Sequence, residues 1–293
     1  MQRSQITSIV LLTVAVGGCA APQLPASGTS VKMQQLRKLA SDAFGLDVST
    51  VEREGAQDNM VGFRSKDVLV SKRNDSRTFF VEDVRYKSTK EESVTQESDE
   101  ALVEASYEIM LKLWIPRDEI SRASVLSEKV QTARYDSSTK TYIRGEIRVG
   151  KKYVEMERSM HGIRVFSSRA LIGLMPERRV GSLEVHWPEI PQKVLVEAGR
   201  YLEAVKQGWK PPEQSGAVVE TVEAGIIHSP AIGFAMDLYP VIRVIYGSED
   251  KQIGRKPVRY FDIEGHSVPL PRTFEKIDEP PLLKKRTMEK DSG

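Results

Sequence analysis

The chain of 293 residues contains a single cysteine, Cys19, so no disulfide can form within it. A zinc cluster built from thiolates is excluded for the same reason, because such sites need several cysteines. The four histidines lie far apart in sequence, without the pair one helical turn apart that holds zinc in thermolysin-type enzymes. The sequence therefore predicts no metal and no other cofactor, and stability has to come from packing.

An excess of charge of one sign is also missing. The 43 basic and 41 acidic residues are interspersed and give a net charge of +2, so no overall field favours nucleic acid as a partner. The chain has no Gly-x-Ser-x-Gly elbow and no phosphate-binding loop. We expect a protein that is not an enzyme, and the sequence names no catalytic residue.

An apolar run occupies the N-terminus, from Ile6 to Val16. It is too short for a membrane-spanning helix, which needs about 20 residues. Arg3 precedes the run, and two glycines followed by Cys19 end it. This arrangement resembles a bacterial lipoprotein signal.

The resemblance implies that residues 1–18 are a signal peptide and that Cys19 is the site of lipid attachment. Diacylglycerol on the thiol, with palmitate among the acyl chains, would hold the protein on a membrane, because two or more chains anchor stably. The implied location is the cell envelope. Ala20, where aspartate would retain such a protein in the inner membrane, implies the outer membrane if the host is Gram-negative.

Apolar spacing and composition divide the rest of the chain into a tether, three folded units and a tail. Helical spacing alternates with period-two spacing in each of the first two units, which is typical of helices followed by strands. The tail is rich in charge and proline and poor in apolar groups. The predicted bounds are 19–30 for the tether, 31–90 for a first α+β unit, 97–210 for a second α+β unit, 215–275 for a third, mostly β unit, and 279–293 for a disordered tail.

Two helices have clear signals in the second unit. The first is predicted from Glu97 to Trp114, with Ser98 as its cap and Leu113 on its apolar face. Pro116 stops it. The second is predicted to open at Pro191 and to run through Val205.

A charged hairpin is predicted between these helices. Gly150 and Lys151 suit a two-residue turn, so the strands on either side should pair. Ile143, Ile147 and Val149 should share one side of the first strand, and the charged and aromatic residues the other. The residues that we expect to form a binding face on this exposed side are Tyr142, Arg144, Arg148 and Tyr153.

Three stretches resemble the propeptide region of thermolysin-type metalloproteases, in which an FTP-like module precedes a PepSY-like module. They are the helix from Ala101 to Leu113, the passage Gly162 to Phe166 with the strands after it, and the ending Val258 to Gly265. Arg164 departs from the family, which often has proline there. Asp262 and Gly265 suit an Asp-x-x-Gly turn. Such modules inhibit, chaperone or bind, so the resemblance implies no catalytic residues.

Together these observations predict an α+β fold of two or three tandem small domains, with antiparallel curved sheets each packed on one long helix. The predicted function is that of a membrane-anchored envelope lipoprotein acting as a non-catalytic protein-binding or assembly module, with an envelope protein as partner. The alternative is a periplasmic enzyme or a protein that binds a small ligand between its domains. A deep cleft that holds a histidine among converging carboxylates would favour the alternative.

Overall fold

The computed structural model describes residues 26–57, 60–73, 77–83, 86, 97–213, 217–230, 236–248 and 257–268. The predicted signal peptide, Cys19, and the predicted tail lie outside the described residues. The elements within them are α1 (Ala26–Phe44), β1 (Val51–Gln57), β2 (Met60–Ser65), β3 (Val68–Arg73), β4 (Thr78–Asp83), α2 (Asp99–Lys112), β5 (Ile120–Asp136), β6 (Thr141–Met160), β7 (Ile163–Leu174), β8 (Val180–His186), α3 (Gln192–Lys206), β9 (Ala217–Pro230), β10 (Met236–Ser248) and β11 (Val258–Phe261).

All eleven described strands belong to one sheet. Its order is β1-β2-β3-β4-β8-β7-β9-β10-β11, while β6 pairs with β7 and β5 pairs with β6. Every pairing is antiparallel except that of β7 with β9. The predicted α+β fold, with separate sheets each packed on one long helix, is therefore wrong: the described part of the chain is mostly antiparallel sheet, with three α-helices packed on it. Apolar spacing reports which face of a strand is buried, but it does not report which strands pair across a unit boundary.

The strand that joins the parts of the sheet is β7. One of its edges pairs with β6 along most of its length. Its other edge pairs with β9 at Arg164 and Val165 and with β8 from Arg169 to Leu174. The neighbour changes across residues 166–168, where the register with β6 also shifts.

The predicted start of α2 is confirmed. Ser98 is the N-cap, and its hydroxyl oxygen accepts a hydrogen bond of 3.2 Å from the backbone N–H of Ala101. Leu113, directly after the helix, is fully buried. α1 and α2 pack on one face of the sheet and form the main core with it, which includes Trp187 after β8. α3 packs on β9 and β10 and covers two smaller clusters.

None of the helices in the described residues has the length and apolarity to cross a bilayer.

The hairpin predicted at Gly150 and Lys151 is wrong. β6 runs without a break from Thr141 to Met160, and the chain reverses at residues 137–140. Asp136 makes this reversal, because its Oδ1 accepts hydrogen bonds from the backbone N–H (2.9 Å) and the hydroxyl (2.6 Å) of Ser138. Gly150 and Lys151 instead form a bulge opposite Glu128.

Candidate functional site

A two-stranded ribbon, residues 127–152, projects from the body of the sheet. β5 pairs with β6 along the whole ribbon, but β6 reaches its other neighbour, β7, only from Tyr153 onward. Twelve residues of β6 therefore lie beyond the sheet, a length of about 40 Å at the usual rise of a strand. Among the described residues no further strand pairs with either edge of the ribbon, and most of its side chains are exposed.

The ribbon has one face that continues the core face of the sheet, and we call it the front face. Directly opposed residues of an antiparallel pair share a face. At each of the two register shifts within the ribbon, one residue of β5 lies opposite two residues of β6, so β5 alternates regularly along the ribbon. Toward the body of the sheet, the same alternation along β5 leads to Val125, which is opposite the buried Val154, and both pack in the main core. The opposed pairs of the front face are Ser127 with Lys152, Lys129 with Val149, Gln131 with Ile147, Ala133 with Arg144, and Tyr135 with Tyr142.

Bulges on β6 decide which side chains meet on this face. The sequence pattern placed Ile147 and Tyr142 on opposite sides of the strand, and this is wrong. Gly145 and Glu146 form a bulge opposite Thr132, so the strand beyond it is turned over and both side chains reach the front face. The bulge makes one apolar stripe out of residues that a regular strand would separate.

Four large apolar side chains form this stripe, and all are exposed. Their exposed fractions are 71% for Tyr142, 62% for Ile147, 58% for Val149 and 53% for Tyr135. The two tyrosine rings lie 5.2 Å apart. Ile143, 48% exposed, lies on the reverse face. Isolated exposed apolar residues are ordinary on protein surfaces, but four large ones along one face of a ribbon indicate a contact surface. Arg144 lies between Ile147 and Tyr142 on this face, and Lys152 lies between Val149 and the core.

The ribbon also differs in charge from the rest of the protein. It has seven basic and three acidic residues, a net charge of +4, in a chain whose net charge is +2. The remaining residues are therefore net acidic by two charges. Arg144 contributes to the front face directly. A surface of this kind attracts a partner with acidic groups around an apolar centre.

The structure divides the four residues predicted to form a binding face. Tyr142 and Arg144 lie together on the front face near the tip of the ribbon. Tyr153 lies at the base, on the reverse face, with its ring 5.7 Å from that of Tyr86. Burial raises the pKa of Tyr153 to about 12. The side chain of Arg148 lies outside the described residues.

Tyr86 anchors the base of the ribbon. Its ring rests on two glycines: a Cβ at Gly173 or Gly181 would come within 2.5 Å and 2.4 Å of Tyr86 atoms, respectively. The Tyr86 hydroxyl donates a hydrogen bond of 3.1 Å to the backbone carbonyl of Lys152. The Nζ of Lys151, a buried lysine, lies 4.8 Å from the centre of the same ring. These contacts hold the ribbon at its root.

The histidines occupy three different settings. His161 lines an open groove of about 730 Å³ along α3. His186, at the end of β8, and His228, near the end of β9, lie with their rings 4.9 Å apart. Burial, with His228 and nearby arginines, lowers the pKa of His186 to about 4. His186 Nδ1 lies 3.1 Å from the hydroxyl oxygen of Thr78.

His266 closes a turn. The predicted Asp-x-x-Gly turn is confirmed, since Gly265 has a φ of +91° and its N–H donates to the carbonyl of Asp262. The carboxylate of Asp262 accepts from the backbone N–H of His266 and lies 2.9 Å from its ring Nδ1. Asp262, Glu264 and His266 have ligand atoms within 4.8 Å of one another, but the first and last already bind each other in the turn.

Arg158 and Glu119 form a buried ion pair near the point where the neighbour of β7 changes from β9 to β8. The guanidinium of Arg158, 2% exposed, is held by Glu119 at 2.8 Å and by the backbone carbonyl of Pro188 at 2.6 Å. Trp187 donates its ring N–H to the same carboxylate oxygen of Glu119 at 2.9 Å. Glu119 thus joins the start of β5 to β6 and to the end of β8. No local motif marks these residues, because their partners are distant in sequence.

Comparisons with known proteins give little further help. No protein-family model matches the chain, and no curated protein matches it. Among solved structures, the chain is similar to an uncharacterized protein from Eubacterium rectale, with 11% sequence identity and a TM-score of 0.46, over 84% of this chain and 83% of the other. A similarity of this size carries no inference.

Proposed function

We propose that the protein is a membrane-anchored envelope lipoprotein that acts as a non-catalytic protein-binding or assembly module, with the ribbon as its contact arm. The observation that carries the second part is the exposed apolar stripe of the front face, which continues the core face of the sheet beyond its helices. Leaving this stripe in water costs about 25 cal/mol per Å² of apolar surface. A partner that covers it removes that cost.

The chemistry of the ribbon indicates what the partner presents. The stripe would be covered best by an apolar strip on the partner, and the ribbon's net charge of +4 would attract acidic groups beside that strip. The tyrosines can serve as anchors, since they combine a large apolar body with a polar tip at low conformational cost. The partner is thus an envelope protein with an acidic, partly apolar surface.

The settings of the histidines support a non-catalytic role. A general base works best with a pKa near the operating pH. The pKa of His186, lowered to about 4, makes it a poor base at neutral pH. The groove beside His161 is lined mainly by apolar and small residues of α3 and holds one acidic side chain, that of Glu203.

The anchor is tested at Cys19. Serine cannot form the thioether, so Cys19→Ser should abolish incorporation of a palmitate analogue and leave an uncleaved or soluble precursor. The wild-type chain, labelled in parallel, is the control. Persistent labelling of the variant would exclude Cys19 as the site of lipid attachment.

The contact arm is tested by Ile147→Ser, with Val196→Ser as a matched control. Both side chains are 62% exposed, one on the ribbon and the other on α3. Capture of partners from detergent-solubilised envelopes should fall at least fivefold for the ribbon variant and stay within twofold of wild type for the control. Circular dichroism checks the fold, which neither change should alter, since exposed positions contribute little to stability.

A second variant tests the electrostatic contribution. Arg144→Glu should slow association with the captured partner and flatten its dependence on salt, with a smaller effect on dissociation. Surface plasmon resonance at two salt concentrations measures this. If Ile147→Ser and Arg144→Glu both retain every partner of the wild type, the ribbon is not the contact arm.

A further inference from the structure

The outer edge of β5 is a long strand edge that is regular and without a partner strand among the described residues. β5 runs for 17 residues, and β6 is its one partner among the described strands. The bulges of the ribbon all place their extra residues on β6, so they disturb the edge of β6 and leave that of β5 continuous. Proteins protect such edges because unpaired N–H and C=O groups invite pairing with another chain.

We propose that this edge pairs with the same edge of a second copy of the chain, in an antiparallel manner about a two-fold axis at Gln131. The two ribbons then form one four-stranded sheet. This goes beyond the proposed function, because it concerns the edge of the ribbon and not its front face. Either proposal can fail without the other.

Charge complementarity favours a second copy of the chain as the partner, and it favours this register. A two-fold axis perpendicular to the sheet keeps the front faces on the same side, so each residue meets one of the same face. With Gln131 opposite its own copy, Glu128 lies opposite Arg134 of the partner, and the pair occurs twice. Both side chains are exposed. Opposite charges directly across a strand pair are favourable.

Neighbouring registers are poorer. Moving the axis to Thr132 would place Glu128 opposite Asp136, two like charges across the strand pair. Moving it to Val130 would place Glu128 opposite Thr132 and leave Arg134 opposite Leu126, without an ion pair. Only the axis at Gln131 pairs these charges, and in that register no like charges oppose each other between Leu126 and Asp136.

Arg134 is suited to an intermolecular partner. Within the described part of the chain it forms no ion pair, although an acidic residue, Asp136, lies two positions away. The carboxylate of Asp136 is engaged in the turn by Ser138. The carboxylate of Glu128 has one long contact, 3.4 Å, with the backbone N–H of Lys151. Pairing of two copies would give Arg134 and Glu128 a stronger bond.

Cysteine crosslinking tests the register directly. The full chain is used in mild detergent with Cys19→Ser, so that an introduced cysteine is the sole thiol. In the proposed register the two copies of residue 131 face each other, while those of residue 133 are four positions apart along the pair, about 13 Å. Under oxidation by copper phenanthroline, Gln131→Cys should give at least fivefold more reducible dimer than Ala133→Cys. Equal crosslinking at both positions, or none at residue 131, would overturn the proposal.

A charge exchange tests the same pairing without a thiol. Glu128→Arg and Arg134→Glu should each weaken self-association at least tenfold in sedimentation experiments, since each creates two like-charge contacts. The double variant restores both ion pairs with reversed polarity and should return to within threefold of wild type. A double variant as weak as the single ones would also overturn the proposal. Capture of envelope partners is measured separately, so loss of the dimer and loss of the contact arm remain distinguishable.

Discussion

The imidazole ring of His186 lies 4.9 Å from that of His228, where the end of β8 meets the end of β9. The positive charges of Arg73, Arg169 and Arg158 also lower the pKa of His186. Protonation of His186 would place a positive charge in a half-buried site close to other positive charges. Burial is the larger cause of the lowered pKa, and His228 and the arginines add to it.

Stability should therefore fall in mildly acidic solution. The pKa of His186 is about 4 when folded and 6.5 in its ordinary state. Below pH 6.5 His186 is protonated in the unfolded chain, whereas in the folded chain it stays neutral down to about pH 4. The free energy of unfolding therefore falls as the pH is lowered from 6.5 to 4, by about 3 kcal/mol for this group. His186→Gln should remove that part of the pH dependence, while His161→Gln keeps it. Denaturant titrations from pH 8 to 4 measure it, and identical slopes for wild type and His186→Gln would refute it.

Glu119→Ala should destabilise the protein by about 3–5 kcal/mol, because it leaves the charge of Arg158 buried without its partner. The matched control is Glu104→Ala, which breaks the exposed ion pair of Glu104 with Arg117. Its cost should be below about 1 kcal/mol. Urea unfolding of the three proteins measures both values. Equal midpoints for the two variants would show that the Glu119 pair contributes no more than a surface contact.

Leu113→Ala should cost about 2–5 kcal/mol, since the side chain is fully buried at the end of α2. Leu111→Ala, two positions earlier and 65% exposed, should change the free energy of unfolding by less than about 0.5 kcal/mol. Thermal or urea unfolding compares them. A denaturant midpoint of Leu113→Ala equal to that of wild type would contradict the assignment of the buried face.

Local chemistry was enough to predict α2 and α3, but not the start of α1, which begins at Ala26, inside the segment 19–30 that was predicted to be a tether. Ser98 caps α2 as its position in the sequence predicts. In β8 the buried residues also alternate with less buried ones, as a period of two predicts, whereas bulges interrupt this period in β6. These features depend on residues within a few positions of one another, so they can be recognised without knowledge of the fold.

The ribbon could not be predicted in this way. Gly150 and Lys151 have the composition of a turn, but a bulge uses the same residue types, and only the pairing partner distinguishes them. The true turn depends on one carboxylate, that of Asp136. β1 has no signal in the sequence, because its seven positions include three charged residues and show no apolar alternation. Strand order depends on contacts between distant residues and leaves no local signal.

The division of β7 between two neighbours affects how the protein loses its structure. If β9, β10 and β11 detach, the first part of β7 keeps β6 alone, and if β8 detaches, the second part does. Loss of β8, or loss of β9 to β11, therefore exposes an edge of β7, the strand with which the remaining strands pair. We therefore expect cooperative unfolding, with a single heat-capacity peak across the described sheet rather than one for each sequence segment.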